Sequence, residues 1–223
     1  MKKTLIINNK PFEYEEEEIT YSNNFPITVE DARSILDLTQ NLLSAKGVQV
    51  YLVFGTLLGA IRDKGLIYGD EDVDVFTDKE DVVYNLLPYL EKNGLYLVRY
   101  KKGSLFTFRI NEKAYIDIYV LRSMELSSIW STYCMRLHNN VTPKKYFRHY
   151  RNICFLGLDC MCVENPEALL EFWYGKNWRT PVSGHSFIYE VKSYHYWRKY
   201  ISRPFYTKMG KLKRFIYQVI HKL

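Results

Sequence analysis

No stretch of this chain reaches the roughly 18 uninterrupted apolar residues that a membrane-crossing helix requires, which excludes an integral membrane protein built on spanning helices. Met1-Lys2-Lys3 starts like a secretory leader, but the apolar run Leu5-Ile6-Ile7 stops at Asn8, short of the core such a leader needs. The expectation is therefore a cytoplasmic protein, with peripheral residence at the inner face of the membrane as a further option. Four cysteines in 223 residues are too few and too widely spaced for a secreted disulfide scaffold. Cys160-Met161-Cys162 has one intervening residue, not the two of a zinc knuckle, and reads as a pair of buried thiols on a strand. Glycine and proline (11 and 7 residues) form no cluster, and no repeat, low-complexity tract or linker interrupts the chain. Acidic residues are missing altogether from Val191 to Leu223, where nine Lys/Arg stand. The first 190 residues then hold 22 basic against 25 acidic residues, so the net charge of +6 resides in the tail. A nearly neutral body argues against a nucleic-acid coat protein, although Tyr194, Tyr196, Trp197, Tyr200 and Phe205 interleave the tail's cations as base-stacking residues would.

What is present is a pattern of helices and strands alternating along one domain. Residues 1–27 read as an N-terminal arm or hairpin, residues 28–190 as the main domain, and residues 191–223 as a basic, aromatic, helical tail. Thr28, with Asp31 three residues on, announces a capped helix that Gly47 stops. Val48 to Phe54 is an apolar run of strand length, followed by a short helix from Thr56 to Arg62. A strand over Asp72–Phe76 precedes a helix capped by Asp78, with Pro88 as a point of bending or division. Leu95–Tyr100 and Leu105–Ile110 flank a turn at Lys101-Lys102-Gly103-Ser104. Ala114–Leu121 is a further strand, helical and turn segments follow it, two more strands surround Cys154–Val163, and Asn165-Pro166-Glu167 opens a helix that Gly175 ends. In the tail, Leu212, Phe215, Ile216, Val219, Ile220 and Leu223 form one apolar stripe among cations, either an interfacial membrane helix or a stripe packed on the protein's own body.

The chemistry concentrates in Gly55-Thr56-Leu57-Leu58-Gly59 and Asp70-Glu71-Asp72-Val73-Asp74. Strand residues two apart point to the same side, so Asp72 and Asp74 converge while Val73 faces the core. Two such carboxylates are costly without a cation between them. Asp117, alone in Tyr115-Ile116-Asp117-Ile118-Tyr119-Val120, completes a three-acid site if its strand lies beside theirs. The simpler alternative makes Asp70, Glu71, Asp72 and Asp74 a solvated acidic loop and pairs Asp117 with an arginine. Arg62 and Lys64 are either donor-binding cations or solvated residues at a helix end, and His185 is either an acid/base contact or an idle loop histidine. Tyr174 and Trp178 read as core aromatics.

The run Gly55 to Ile67 followed by Asp70-Glu71-Asp72-Val73-Asp74 resembles the signature of the LicD/fukutin-related family. Tyr174-Gly175-Lys176-Asn177-Trp178-Arg179-Thr180-Pro181 is similar to that family's C-terminal Tyr-Gly-x-x-Trp-x-x-Pro element. Where the family has Pro-Trp before its acidic run, this chain has Tyr68-Gly69. The resemblance implies an α+β fold: a nucleotidyltransferase-like mixed sheet flanked by helices, with a helical C-terminal region. It further implies Mg²⁺ (Mn²⁺ as the alternative) on Asp72, Asp74 and Asp117, with phosphate held near Gly55 and Thr56. The activity it implies is transfer of phosphocholine or a polyol phosphate from a CDP-linked donor to a sugar hydroxyl of a surface glycan, such as a capsule, teichoic acid or lipopolysaccharide, with release of CMP. Asp72 and Asp74 would carry the metal and Asp117 would orient the attacking hydroxyl. Two alternatives remain at this stage: a nucleotidyltransferase that moves a nucleotide from an NTP to a small molecule, and a non-catalytic glycan- or membrane-associated partner protein.

Overall fold

The computed structural model describes residues 4–15, 26–123, 134–138 and 140–181. The basic tail and His185 lie outside the described residues. The chain divides into two compact units, Met1–Pro166 and Glu167–Leu223.

The first unit is an α+β arrangement built on a mixed sheet. Helix α1 spans Val29–Ser44, and its start follows the capping logic of the sequence. The Asp31 amide donates to Thr28 Oγ1 at 3.0 Å, while the Thr28 hydroxyl donates to Asp31 Oδ2. Strand β1 is only Tyr51–Leu52. The expected seven-residue strand is cut short because helix α2, Phe54–Arg62, begins two residues before its expected start. Val48, Val50 and Val53 are buried all the same, so the apolar run reports burial, not strand length.

Strand β2 is Val73–Thr77, and helix α3 runs Glu80–Lys92 without a break at Pro88. Asp78 does not cap α3: Lys79 occupies that position with no side-chain bond, and Asp78 is an exposed partner of its ammonium at 3.5 Å. Strands β3 (Tyr96–Lys101) and β4 (Leu105–Arg109) form the expected hairpin, and Gly103 supplies φ +68 in its turn. Strand β5 is Tyr115–Ser123. A short hairpin of β6 (Cys134–Leu137) and β7 (Asn140–Pro143) follows, in a region the sequence pattern assigned to helix and turn. Strands β8 (Tyr150–Phe155) and β9 (Leu158–Val163) close the set. Cys160 and Cys162 are indeed buried on β9, and burial pushes the Cys160 thiol up to about 12.

The strand order is β3-β4-β5-β2-β1-β9-β8, with β6 and β7 extending from β5. Strands β2 and β5 run parallel, and the 37 residues between them supply α3 and the β3–β4 hairpin. One face of the central strands carries Val73, Val75, Phe106, Phe108, Ile116 and Ile118, all buried. Each such side chain contributes on the order of 1.5–3 kcal/mol by leaving water. The opposite face is where the polar residues of these strands collect.

The N-terminal arm folds back on itself, with the Thr4 amide donating to the Glu13 carbonyl at 2.9 Å. Its Phe12 ring meets Tyr84 and Tyr100 edge-on at 5.2 and 6.1 Å. The second unit contains helix α4, Pro166–Tyr174 (its first residue closing the first unit), which buries Leu169, Leu170 and Trp173. Gly175, at φ +87, terminates it as the sequence pattern requires. Trp178 is buried and the Arg179 guanidinium lies 4.2 Å over its ring.

Candidate active site

Register builds the site. Arg99 on β3 pairs with Thr107 on β4, Thr107 with Asp117 on β5, and Asp117 with Asp74 on β2. Residues paired across adjacent strands share a face, so one polar row crosses four strands whose other face is apolar. Asp72 precedes β2 in a bend and completes the group: one carboxylate oxygen from each of Asp72, Asp74 and Asp117 lies within 4.8 Å of the others. The expected convergence of three acids is therefore present, although only Asp74 and Asp117 are strand residues. The alternative pairing of Asp117 with an arginine is present too, since Arg99 Nη2 stands 3.5 Å from Asp117 Oδ2. The solvated-loop half of that alternative fails, because Asp74 is a buried strand residue.

Asp74 is held from the α2 side. The Gly55 amide donates to its Oδ2 at 3.1 Å, its own amide donates to Thr56 Oγ1 at 2.8 Å, and its carbonyl accepts from Val53 at 3.1 Å. The Gly55-Thr56 step is thus the first turn of a helix that grips the Asp74 carboxylate. The unusual backbone belongs to Phe54, at φ +43. A non-glycine residue in that region costs about 1–2 kcal/mol. The Phe54 ring is seated edge-on against Tyr119 at 4.9 Å.

Asp117 has a different environment. Its Oδ1 accepts from the Thr107 hydroxyl and its Oδ2 from the Tyr119 hydroxyl at 3.2 Å. Arg99 also donates to Thr107 Oγ1, through Nη2 at 3.0 Å and Nε at 3.2 Å. Burial raises the Asp117 carboxyl, and Thr107, Arg99, Tyr119 and Lys101 pull it back down. Burial raises Asp74 well above the usual carboxylate range, and Asp72, Asp70 and Asp117 push it further in the same direction, with the Gly55 amide opposing them.

Asp70 stands behind this pair. Its carbonyl accepts from Ile27 at 2.8 Å and its amide donates to Ile67 at 3.1 Å, fixing the loop that delivers the acids. Its Oδ2 is buried with no hydrogen-bond partner among the described residues, and burial lifts the carboxyl to about 6. Arg62 donates from one guanidinium edge, Nε and Nη2, to the two carboxylate oxygens of Asp63 at 2.8 and 2.7 Å, while Lys64 is exposed with φ +58. Gly59 matters for a steric reason: a Cβ there would fall 2.5 Å from the Gly65 carbonyl oxygen, so α2 and the loop toward Asp70 touch backbone to backbone.

Arg99, Thr107, Tyr119 and His138 were not among the residues the sequence singled out. Thr107 is the one hydroxyl in Leu105-Phe106-Thr107-Phe108, the same kind of signal that exposed Asp117. His138, at φ +50, bonds Ser104 Oγ through Nδ1 at 2.8 Å and lies edge-on to Tyr119 at 5.6 Å. Burial, then Lys101, Arg99 and Arg136, lower its pKa.

The family described as LicD/FKTN/FKRP, nucleotidyltransferase domain, matches residues 47–165, just over half of the chain. The chain belongs to this family. The matched segment of this LicD-family protein runs from the end of α1 through the whole acid row to the end of β9, while the Tyr174–Pro181 element falls beyond it. An uncharacterised protein of Rickettsia prowazekii (strain Madrid E) is 30% identical over 100 residues, which is 44% of this chain and 36% of that protein. The chain thus spans about a third of the length of that relative. Among solved structures, it is similar to the lincosamide antibiotic adenylyltransferase LnuA in its lincomycin-bound form. That match has 15% identity and TM-score 0.46, covering 76% of this chain and 98% of the other. A second match is to the antibiotic-resistance factor ANT(2'')-Ia, with 13% identity and TM-score 0.43, covering 86% and 97%.

The acid cluster fits a metal ion on its own chemistry. Three carboxylate oxygens within one ion's reach are hard donors suited to Mg²⁺ or Mn²⁺, and the buried, unbonded Asp70 oxygen behind them wants positive charge nearby. No helix among the described residues is long and apolar enough to cross a membrane.

Proposed function

We propose that this LicD-family chain is a metal-dependent transferase that moves a phospho-alcohol group, phosphocholine or a polyol phosphate, from a CDP-linked donor to a saccharide hydroxyl, releasing CMP. The observation that carries this reading is the convergence of Asp72, Asp74 and Asp117 beside the first turn of α2. A bound Mg²⁺ would neutralise the diphosphate and the charge that develops on the departing CMP.

The chain's own residues divide the rest of the work. Asp72 and Asp74 would hold the cation, and the Gly55 amide and Thr56 hydroxyl fix Asp74 in place for that role. The positive end of α2 faces the same place and favours a phosphate there. Asp117, with one oxygen on Thr107 and the other on Tyr119 and Arg99, is fixed in position to orient the attacking hydroxyl and receive its proton. The Gly55 amide is already seated on Asp74, so little reorganisation of that pair is required as charge moves.

Thermal-shift measurements with CDP-choline, CDP-ribitol and the four NTPs, each with and without Mg²⁺, test this reading, followed by an assay for CMP release. Mg²⁺-dependent stabilisation by a CDP-alcohol and CMP formation with a saccharide acceptor support it. Stabilisation by an NTP with pyrophosphate release would replace it with nucleotide transfer, and stabilisation by none of them would remove it.

A further inference from the structure

A cavity of about 260 Å³ opens at the sheet edge, lined by Phe12, Tyr14, Arg99, Tyr100 and Lys101. Nothing derived so far uses it. Two aromatic rings of the N-terminal arm, Phe12 and Tyr14, stand parallel with centroids 5.7 Å apart, and Tyr100, which leaves β3 on the face opposite Arg99 and Lys101, adds a third ring to the lining at the strand edge. Two cations, Arg99 and Lys101, alternate along β3 and so share a face of it. Arg99 belongs to the cavity and to the catalytic row at once, because its guanidinium lies 3.5 Å from Asp117.

The strand order gives the cavity a side. The α2 turn grips Asp74 on β2, and Asp117 on β5 separates that turn from the cations on β3. A donor whose diphosphate sits between the metal-holding acids and α2 leaves the β3 flank to the other substrate. That substrate must bring its hydroxyl to Asp117. Aromatic faces take up the C–H surface of a sugar ring, and paired cations select a ligand that carries an anionic group.

We propose that this cavity is the acceptor subsite and that it takes a saccharide bearing a phosphate, with its ring against Phe12, Tyr14 and Tyr100 and its phosphate on Lys101 and the outer edge of Arg99. The inference rests on the transferase reading for the word acceptor, but the binding it asserts is measurable without any turnover.

Calorimetric titration of the full chain with glucose 1-phosphate and with glucose is the direct experiment. The phosphate ester should bind on the order of tenfold more tightly, the scale of one charge-assisted hydrogen bond. Lys101 is exposed, so Lys101→Gln should fold normally, abolish most of that preference and leave CDP-alcohol affinity unchanged. Phe12→Ala should weaken glucose and glucose 1-phosphate alike. Equal binding of the two sugars, or an undiminished preference in Lys101→Gln, overturns the proposal. So does a preference that disappears without Mg²⁺, which would put the phosphate on the acid cluster. Displacement of glucose 1-phosphate by CDP-choline would assign the cavity to the donor and also overturn it. Failure of the transferase reading looks different: no CDP-alcohol binding and no CMP release, with the sugar-phosphate preference intact.

Discussion

Asp74 and Asp117 sit opposite each other on parallel strands, both buried and both carboxylates, yet their surroundings are opposites. Asp117 is supplied by the protein itself with two hydroxyl donors and a guanidinium. Asp74 has one backbone amide and three other acids pressing on it. The difference teaches which of the two depends on an added cation. Asp117 has its charge offset in large part by donors of the folded chain, although burial still leaves its carboxyl raised. Asp74 is unbalanced, and the imbalance is what a metal ion would relieve.

The sharpest way to break this contrast is to neutralise each acid in turn. Under the proposed mechanism, Asp74→Asn and Asp117→Asn should each lower turnover by a factor on the order of 10³ or more, the loss of several kcal/mol of charge stabilisation. Their metal-free stabilities should move by different amounts. Asp74→Asn keeps an acceptor for the Gly55 amide and removes a repelled charge, so its melting temperature rises clearly. Asp117→Asn relieves a carboxylate that burial disfavours but gives up the ion pair with Arg99, so its melting temperature moves little. Differential scanning calorimetry in EDTA reads both, and a gain in Asp117→Asn as large as that in Asp74→Asn would erase the distinction.

Smaller effects sharpen it. Gly59→Ala forces a Cβ against the Gly65 carbonyl and should cost about 1–3 kcal/mol, as overpacking against backbone does. It should also weaken Mg²⁺ binding by calorimetry, because the displaced loop carries Asp70 and Asp72. A variant as stable as the parent, with unchanged metal affinity, would show that this contact positions nothing.

Asp70 gives a pH signature to the Asp74 side. Its carboxyl rises from 3.8 to about 6 on folding, so the folded protein holds that proton more tightly than the unfolded chain. Metal-free stability from this group is intact below pH 4, falls between pH 4 and 6, and stays low above. Asp70→Asn should therefore stabilise the metal-free protein at pH 7 by about 1–3 kcal/mol and flatten that decline in melts recorded from pH 4 to 8. On the Asp117 side, Thr107→Val should cost about 1–2 kcal/mol by leaving a buried carboxylate short of one donor. A Thr107→Ser variant should recover most of that in the same denaturant titration.

The acid cluster could be read in the sequence because its signal is local: Asp72 and Asp74 two apart, and Asp117 conspicuous in an apolar strand. The helix starts at Thr28 and Asn165 and the turn around Gly103 were legible for the same reason, each marked by a cap or turn residue within a few positions. Arg99 and Thr107 were invisible because their meaning lies in register. Nothing near Thr107 says that it pairs with Arg99 on one side and Asp117 on the other. The early start of α2 was hidden differently. Val48 to Phe54 reads as one apolar run, and tertiary contacts, the Phe54 ring on Tyr119 and the Gly55 amide on Asp74, decide where strand yields to helix. The β6–β7 hairpin was missed because four-residue strands of mixed polarity carry too little period to detect.

The parallel pairing of β2 and β5 also has a kinetic side. Asp74 and Asp117 are separated in sequence by α3 and the β3–β4 hairpin, so a long loop must close before the acids meet. An unfolded chain has no such cluster, and a cation that recognises it recognises the finished sheet. Mg²⁺ should then slow unfolding while leaving the refolding rate nearly unchanged, because it has nothing to hold until the last long-range strand is in place.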